Sequence, residues 1–170
     1  MPSQKLSKTS SLGLERKVLK PTQLLSLVRR LKSQKKKIVF TNGTFDFLHL
    51  GHVQYLEKAK RLGDVLIVGV NTDRSVKTYK DPSRPINPEA DRIRVLAALE
   101  AVDYAILFDE PTPLHLVCKI QPHVLAKGAD WKASQIAGAR EMKSWGGVVR
   151  RIPLVTGRST TNLISKIKHV

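Results

Sequence analysis

The chain has 170 residues, of which 41% are hydrophobic, and carries a formal net charge of +16. The single cysteine, Cys118, excludes an intrachain disulfide, and no stretch approaches the roughly 20 apolar residues of a membrane-spanning helix. Residues 1–20 lack the apolar core of a signal peptide, so we expect a cytoplasmic protein with one domain and no membrane span.

The basic charge is concentrated near the N-terminus. Residues 1–37 contain eleven lysines and arginines against Glu15 alone, a balance of +10, which leaves +6 for residues 38–170. Residues 1–20 are predicted to form a basic, flexible tail, and residues 21–170 a single domain. The few aromatic residues do not interleave with the basic cluster, so we expect no nucleic-acid partner. The alternative is a basic adaptor that binds RNA or an anionic surface through residues 1–37.

The first predicted elements are a helix, a strand and a second helix. Apolar residues recur at helical spacing after Pro21, which predicts an amphipathic helix over residues 21–34. Residues 38–40 are a short apolar run typical of a buried parallel strand, and residues 41–47 are predicted to be a loop. Helical periodicity begins near His52, with an apolar stripe formed by Val53, Leu56, Ala59 and Leu62.

Strand and helix signals alternate through the rest of the chain. Apolar runs predict strands at residues 65–70, 102–108, 124–126 and 148–152. Helices are predicted over residues 88–99, after Pro113, over residues 134–142 and after Ser159. Cys118 falls in an apolar helical pattern and is predicted to be buried. The alternation indicates an α/β fold with a doubly wound parallel sheet of five strands and helices on both faces.

The sequence TNGTFDFLHLGH, residues 41–52, joins the first strand to the second helix. His49 and His52 are three residues apart, so both rings can lie on one side of the opening turn, with Gly51 leaving room for a ligand. A helix N-terminus presents unpaired N–H groups that bind phosphate oxygens, and histidines can donate hydrogen bonds to charge on an attacked phosphorus. Asp46 with the two histidines also permits a zinc site, but no fourth ligand is evident, and no protein-bound metal is predicted.

The G-T-F-D and H-x-G-H patterns of this loop resemble the signature of the nucleotidyltransferase superfamily that contains the cytidylyltransferases. From about Lys37 to Ile167 the chain resembles the heptose 1-phosphate adenylyltransferases, with similar segments at VNTDRSVK, RPINPEADR, FDEPTPL, VLAKGADW and GRSTTNLI. The resemblance implies a Rossmann-like sheet of strand order 3-2-1-4-5. In that order the histidine loop and KGADW face one another at the point where strand order reverses.

The loop chemistry and the resemblance together predict a nucleotide site. We expect it to contain Thr41, Asn42, Gly43, Thr44, Phe45, Asp46 and Gly51 in the loop, Lys127, Gly128 and Asp130 in KGADW, and Arg158, Ser159, Thr160 and Thr161 in GRSTTN. A lysine can neutralise a phosphate, a glycine permits close approach of the backbone, and the hydroxyls precede another predicted helix. The alternative for each segment is an ordinary turn with a capped helix.

A sugar-phosphate site is predicted beside it, with Asn71, Asp73, Arg84, Arg92 and Trp131 as its residues. Either arginine can clamp a phosphate through two hydrogen bonds, or can pair with Glu89 or Asp91 at the surface. Lys77 is expected to contact the triphosphate and to act in catalysis with His49 and His52, and Lys80 is the alternative.

The resemblance implies transfer of AMP from ATP to D-glycero-β-D-manno-heptose 1-phosphate, with release of pyrophosphate, in lipopolysaccharide inner-core precursor synthesis. Mg²⁺ would be bound mainly through ATP. A phosphate nucleophile is already ionised at neutral pH, so no general base is required. The resemblance also implies a homodimer and a separate heptose kinase upstream. The alternative is a cytidylyltransferase for a glycerol-phosphate-like alcohol phosphate, but such relatives carry an arginine where this chain has Leu154.

Overall fold

A computed structural model describes residues 11–81 and 83–153. Its strands are Val18–Leu19 (β1), Ile38–Gly43 (β2), Val65–Asn71 (β3), Tyr104–Phe108 (β4), Val124–Gly128 (β5) and Val148–Ile152 (β6). They form one parallel sheet in the order β1-β4-β3-β2-β5-β6. The predicted count of five strands is therefore wrong. The sixth strand, β1, lies at the edge beside β4, and the other five follow one another in the order that the resemblance implied.

The helices are Ser11–Lys17 (α1), Pro21–Ser33 (α2), Leu50–Lys60 (α3), Asp73–Lys77 (α4), Glu89–Ala97 (α5) and Leu114–Ile120 (α6). Two short 3₁₀ helices, Ala133–Gln135 and Glu141–Trp145, follow β5. None of the helices within the described ranges has the length and apolar character needed to cross a membrane.

Residues 11–19, which were predicted to belong to a flexible tail, form α1 and β1. Strand β1 pairs with β4, with Val18 opposite Ala105, and so satisfies backbone groups at that edge of the sheet. The Lys17 ammonium also donates to the Leu99 carbonyl at 3.2 Å. Tertiary pairing therefore orders a basic segment whose composition alone indicates disorder.

Successive residues of the central strands face opposite sides of the sheet, as a strand periodicity of two requires. In β2, Ile38 and Phe40 belong to one core cluster, and Val39 belongs to the other. The first cluster is completed by α2 and α6, and the second by α3 and α5. Helices thus cover both faces, as predicted.

Two local predictions are wrong. In place of a helix over residues 134–142, the two 3₁₀ helices are separated by Gly138, whose φ of +90° interrupts regular helix. A Cβ atom at Gly138 would lie 2.7 Å from the Val117 side chain, so the chain passes close to α6 there. Cys118 is exposed rather than buried, because α6 turns Leu116, Val117 and Ile120 inward.

Candidate active site

A cleft of about 670 Å³, here called the catalytic cleft, lies at the carboxyl ends of β2, β3 and β5. Strand order reverses between β2 and β5, and ligands of open α/β sheets bind at such a point. The predicted residues that line the cleft are Asn42, Gly43, Thr44, Phe45, Asp46, His49, Gly51, His52, Asn71, Arg84, Lys127, Gly128, Asp130 and Trp131. The histidine loop and KGADW therefore face the same space.

His49 and His52 form one wall of the catalytic cleft at the start of α3. His49 immediately precedes the helix, and the centroids of the two rings are 3.9 Å apart. Burial, and next the neighbouring His49, lower the pKa of His52 from 6.5 to about 4. His52 is therefore uncharged at neutral pH, and its ring, which also bonds to the Phe47 backbone, lies beside the N–H groups at the start of α3.

The loop between β2 and α3 places an aromatic ring against the histidines. Phe45 has a φ of +50°, in the left-handed region that bulky residues rarely occupy. Its ring stands edge-on to His52, with centroids 5.4 Å apart. A Cβ atom on Gly43 would approach this ring to 3.0 Å, so a glycine at position 43 gives the ring its space. Strained backbone of this kind occurs at functional loops.

Asp46 connects this loop to residues 84–87 through hydrogen bonds. Its carboxylate accepts hydrogen bonds from the Arg84 Nε at 2.6 Å, the Ile86 N–H at 3.0 Å and the Asn87 N–H at 2.8 Å. Burial alone would raise the pKa of Asp46, but these three donors outweigh it and hold the pKa below its usual value. Asp46 lies in the cleft wall as predicted, and these contacts make it a residue that positions Arg84.

Arg92 lies behind the catalytic cleft instead of in it. Only 2% of the residue is exposed. Its guanidinium donates to the carbonyls of Asn87 at 2.9 Å, Thr44 at 2.5 Å and Asn71 at 2.8 Å, and to the Asp73 carboxylate at 2.6 Å. The guanidinium thus joins three loops that end at the cleft, and neither Arg92 nor Asp73 lines it, so their sugar-phosphate role stays a prediction.

Two tyrosines that were not among the predicted site residues form hydrogen bonds with threonines that were. The hydroxyl of Tyr55 lies 2.7 Å from that of Thr41, and the hydroxyl of Tyr79 lies 2.8 Å from that of Thr44. Burial raises the pKa of both tyrosines, so both hydroxyls stay protonated. Thr41 is fully buried and supports the cleft from below, whereas both tyrosines line it.

Lys127 forms the wall opposite the histidines. Its ammonium donates to the Asn42 side-chain oxygen at 2.5 Å and lies 5.2 Å from the centre of the Trp131 ring. Burial lowers the pKa of Lys127 from 10.5 to about 8, against the smaller opposing effect of Asp130. The cleft thus holds a poorly hydrated positive charge at the end of β5, where an anionic ligand would stabilise it.

Lys80, and not Lys77, lines the catalytic cleft. Lys77 is the last residue of α4, and its side chain is exposed. Burial, and next Arg84, lower the pKa of Lys80, while Asp46 raises it. The position of Lys80 favours the alternative, and the predicted role of Lys77 stays a prediction.

Sequence patterns missed a further part of the wall, formed by Pro111, Thr112, Pro113, Gln135, Ile136 and Ala137. The first three belong to FDEPTPL, whose resemblance to the family was the one signal that could have indicated them. The predicted nucleotide residues Arg158, Ser159, Thr160 and Thr161 lie outside the described residues.

The zinc alternative requires a group of side chains that can coordinate one metal ion. Within residues 11–81 and 83–153, no three His, Cys, Asp or Glu side chains are grouped to hold a metal ion. The Asp46 carboxylate, which would have to join the two histidines, is instead bonded to residues 84–87. This part of the chain offers no cage for a protein-bound metal.

The sheet is parallel and doubly wound, and histidines at a helix N-terminus face a lysine across the point where strand order reverses. These features together are those of an α/β protein that binds nucleotide phosphates. The family model described as Cytidylyltransferase-like matches residues 40–167, and the chain belongs to this family.

Two relatives show how far the similarity extends. The chain is 52% identical over 164 residues to the Bifunctional protein HldE of Methylobacillus flagellatus, covering 96% of this chain and 34% of that protein. It is 46% identical over 161 residues to the Bifunctional protein HldE of Campylobacter fetus subsp. fetus, covering 95% and 33%. The chain thus spans about a third of the length of these curated relatives.

Solved structures share the fold. A lipopolysaccharide core biosynthesis protein from Thermoplasma volcanium GSS1 is 30% identical, with a TM-score of 0.58, over 71% of this chain and 97% of that one. A pantoate-beta-alanine ligase from Francisella tularensis, complexed with beta-gamma ATP and beta-alanine, is 19% identical, with a TM-score of 0.60, over 90% and 78%. The second likeness shows the fold alone.

Proposed function

We propose that the protein transfers AMP from ATP to D-glycero-β-D-manno-heptose 1-phosphate and releases pyrophosphate. The observation that carries the proposal is the facing arrangement of the His49–His52 pair and Lys127 across one cleft at the switch point of the sheet. This arrangement provides imidazole donors on one side and an ammonium group on the other, as a phosphorus under attack requires.

In the proposed reaction, an oxygen of the sugar 1-phosphate attacks the α-phosphorus of ATP in line with the leaving group. A new P–O bond forms, the bond between the α-phosphorus and the oxygen bridging to the β-phosphate breaks, and pyrophosphate leaves with the electron pair. The nucleophile is ionised at neutral pH, so no residue has to remove a proton from it. The products are ADP-heptose and pyrophosphate.

In this proposal, each described residue contacts the part of the substrates that its position in the cleft allows. His49 and His52 donate to oxygens of the attacked phosphate and of the leaving group, together with N–H groups at the start of α3. Lys127 and Lys80 both line the cleft, and we propose that Lys127 contacts the same phosphate and that Lys80 neutralises the triphosphate. Arg84, held by Asp46, is proposed to bind the sugar phosphate.

The remaining predicted contacts stay proposals. Asn71 and Trp131 line the cleft and are proposed to bind the sugar phosphate, and Arg158, Ser159, Thr160 and Thr161 are proposed to bind the nucleotide. Mg²⁺ would arrive with ATP and be held mainly by its phosphates, where it would neutralise charge that develops on the leaving pyrophosphate.

The identity of the sugar is supported by similarity and not by cleft geometry. The resemblance of several ordered segments to heptose 1-phosphate adenylyltransferases, and the name of the Thermoplasma volcanium protein, both favour lipopolysaccharide precursor synthesis. We further propose a cytoplasmic homodimer that uses heptose 1-phosphate supplied by a heptose kinase.

The test is pyrophosphate release measured with ATP or CTP, each paired with heptose 1-phosphate or glycerol 3-phosphate. We expect release with ATP and heptose 1-phosphate, and loss of at least about a hundredfold in His52→Ala. His115→Ala is the matched control, because His115 is exposed on α6 and does not line the cleft. Preference for CTP with glycerol 3-phosphate would establish the alternative enzyme. Full activity of His52→Ala would overturn the catalytic assignment.

A further inference from the structure

A second cleft, of about 430 Å³, lies at the amino ends of β2, β5 and β6 and is here called the basic cleft. It is lined by Lys32, Lys35, Lys36, Gln121, His123 and Trp145, which precede those strands. The catalytic cleft lies at the carboxyl ends of β2 and β5, so the two clefts are at opposite edges of the sheet. No residue of the basic cleft takes part in the reaction proposed above.

The wall of the basic cleft carries three lysines and no carboxylate. None of these lysines forms a salt bridge within residues 11–81 and 83–153. The Lys32 ammonium is bonded at 3.3 Å to the neutral side-chain oxygen of Gln121, and burial lowers the pKa of Lys32. Positive charge is therefore concentrated here without an anionic partner in the described part of the chain.

Helix dipoles balance only part of this charge. Helices α2 and α6 and the 3₁₀ helix Glu141–Trp145 all end at the basic cleft. Each helix C-terminus carries at most about half a negative charge, so three ends offset about 1.5 of the three positive charges. The cleft keeps a net positive potential that attracts anions.

The backbone of the basic cleft is strained at two of the three helix ends. Gly146, after the 3₁₀ helix, has the left-handed φ of +74° that suits glycine. At α6 the left-handed position is held by Gln121 (φ +45°), and at α2 by Lys35 (φ +55°). Non-glycine residues rarely occupy this region. The other such residue in the described ranges is Phe45 of the catalytic cleft. At α2 the Lys35 N–H donates to the Lys32 carbonyl and the Lys36 N–H to the Leu31 carbonyl, both at 2.9 Å, so this helix end fixes the backbone that carries the two lysines.

His123 adds a directed donor to the lysines. Its Nδ1 accepts the Ile38 N–H at 3.0 Å, so the neutral ring carries its proton on Nε2. The side chain of Trp145 is fixed by a hydrogen bond from its Nε1 to the Pro122 carbonyl at 3.1 Å and offers an apolar wall. Ammonium groups, one imidazole N–H and an aromatic surface are the groups that recognise a phosphate ester.

We propose that the basic cleft is a second binding site, for a small phosphorylated ligand whose phosphate lies among Lys35, Lys36 and His123 and whose remaining part contacts Trp145. Binding at this site is separate from binding in the catalytic cleft. At the left-handed position of α2, Lys35 supplies an ammonium group that a glycine would not.

The test uses inorganic tripolyphosphate as the probe and the full chain with Trp131→Phe, which leaves Trp145 as the one tryptophan. Titration at low ionic strength should give a saturable change in Trp145 fluorescence. Adding Lys35→Gly should weaken the apparent affinity about fivefold or more, as expected for the loss of one charge contact. The same variant should unfold at a higher temperature, because glycine relieves the left-handed backbone. The gain in stability separates lost binding from damaged folding.

Two controls locate the signal. Lys58→Gln removes an exposed charge on α3 and should leave the affinity unchanged, as should His52→Ala in the catalytic cleft. The proposal is overturned if no saturable change occurs, if Lys58→Gln weakens binding as much as Lys35→Gly, or if His52→Ala abolishes the signal. It is also overturned if a single-stranded RNA oligonucleotide changes the fluorescence and tripolyphosphate does not, since that outcome indicates a nucleic-acid surface.

Discussion

Lys127→Met tests whether the buried positive charge of Lys127 in the catalytic cleft lowers the free energy of unfolding. Burial lowers the pKa of Lys127 from 10.5 to about 8. Each tenfold change in proton affinity corresponds to about 1.36 kcal/mol, so the charged side chain reduces the free energy of unfolding by about 3 kcal/mol below pH 8. Methionine removes the charge and keeps most of the apolar packing of the lysine stem.

The substitution also removes favourable contacts. Asn42 loses the donor that lies 2.5 Å from its oxygen, and Trp131 loses the ammonium over its ring. Together these losses cost about 2 kcal/mol. We therefore expect Lys127→Met to be more stable than the original protein by about 1 kcal/mol at pH 7, and to lose most of the proposed adenylyltransferase activity.

The dependence on pH gives the sharper test. The pKa of Lys127 is lower in the folded than in the unfolded state, so its destabilising effect is complete below pH 8 and disappears as pH rises toward 10.5. In urea unfolding, the free energy of unfolding of Lys127→Met should be higher than that of the original protein at pH 7 and lower at pH 10. Lys58→Met, at an exposed position, is the control. A difference between the two proteins that stays constant from pH 7 to pH 10 would refute the reasoning.

Three further predictions concern residues in or behind the catalytic cleft, and a fourth concerns the N-terminus. The pKa of His52 is lowered to about 4, so urea unfolding should show stability falling as pH drops from 6.5 to 4, and less steeply in His52→Asn. Arg92→Lys should lower the free energy of unfolding by about 2–3 kcal/mol in chemical denaturation, because one ammonium cannot reach three loops; unchanged stability would contradict this. Lys80→Met should raise the KM for ATP about tenfold and Lys77→Met less than about twofold; the reverse order would favour Lys77. Deleting residues 1–10 should leave kcat/KM within about twofold, and loss of activity would favour a role for the basic segment.

Much of the sheet could be predicted because its signals are local. Continuous apolar runs identified the five longer strands, and the parallel arrangement followed from their alternation with helices. Strand β1 escaped prediction because it has only two residues, and its pairing partner β4 lies far along the chain. The exposure of Cys118 was missed because the apolar residues of α6 do not share one face. Leu116, Val117 and Ile120 are buried, whereas Leu114 and Cys118, one turn apart, are exposed.

Only some of the residues of the catalytic cleft could be predicted from the sequence. The histidine loop and KGADW carry their chemistry within a few consecutive residues, and the structure brings them to the same cleft. The position of Arg92 could not be predicted, because the carbonyls that bind it come from loops distant in sequence. Tyr55 and Tyr79 were missed for the same reason, since each hydroxyl bonds to a threonine on another element.

The central claim concerns the histidine pair, and ³¹P NMR of the reaction mixture tests it most directly. With ATP, Mg²⁺ and heptose 1-phosphate, the protein should produce the paired resonances of a sugar nucleotide diphosphate together with pyrophosphate in equal amounts. The His49→Ala/His52→Ala protein should still fold, as judged by thermal unfolding, and produce neither at a comparable rate. Equal rates of formation from the original and the doubly substituted proteins would contradict the assignment.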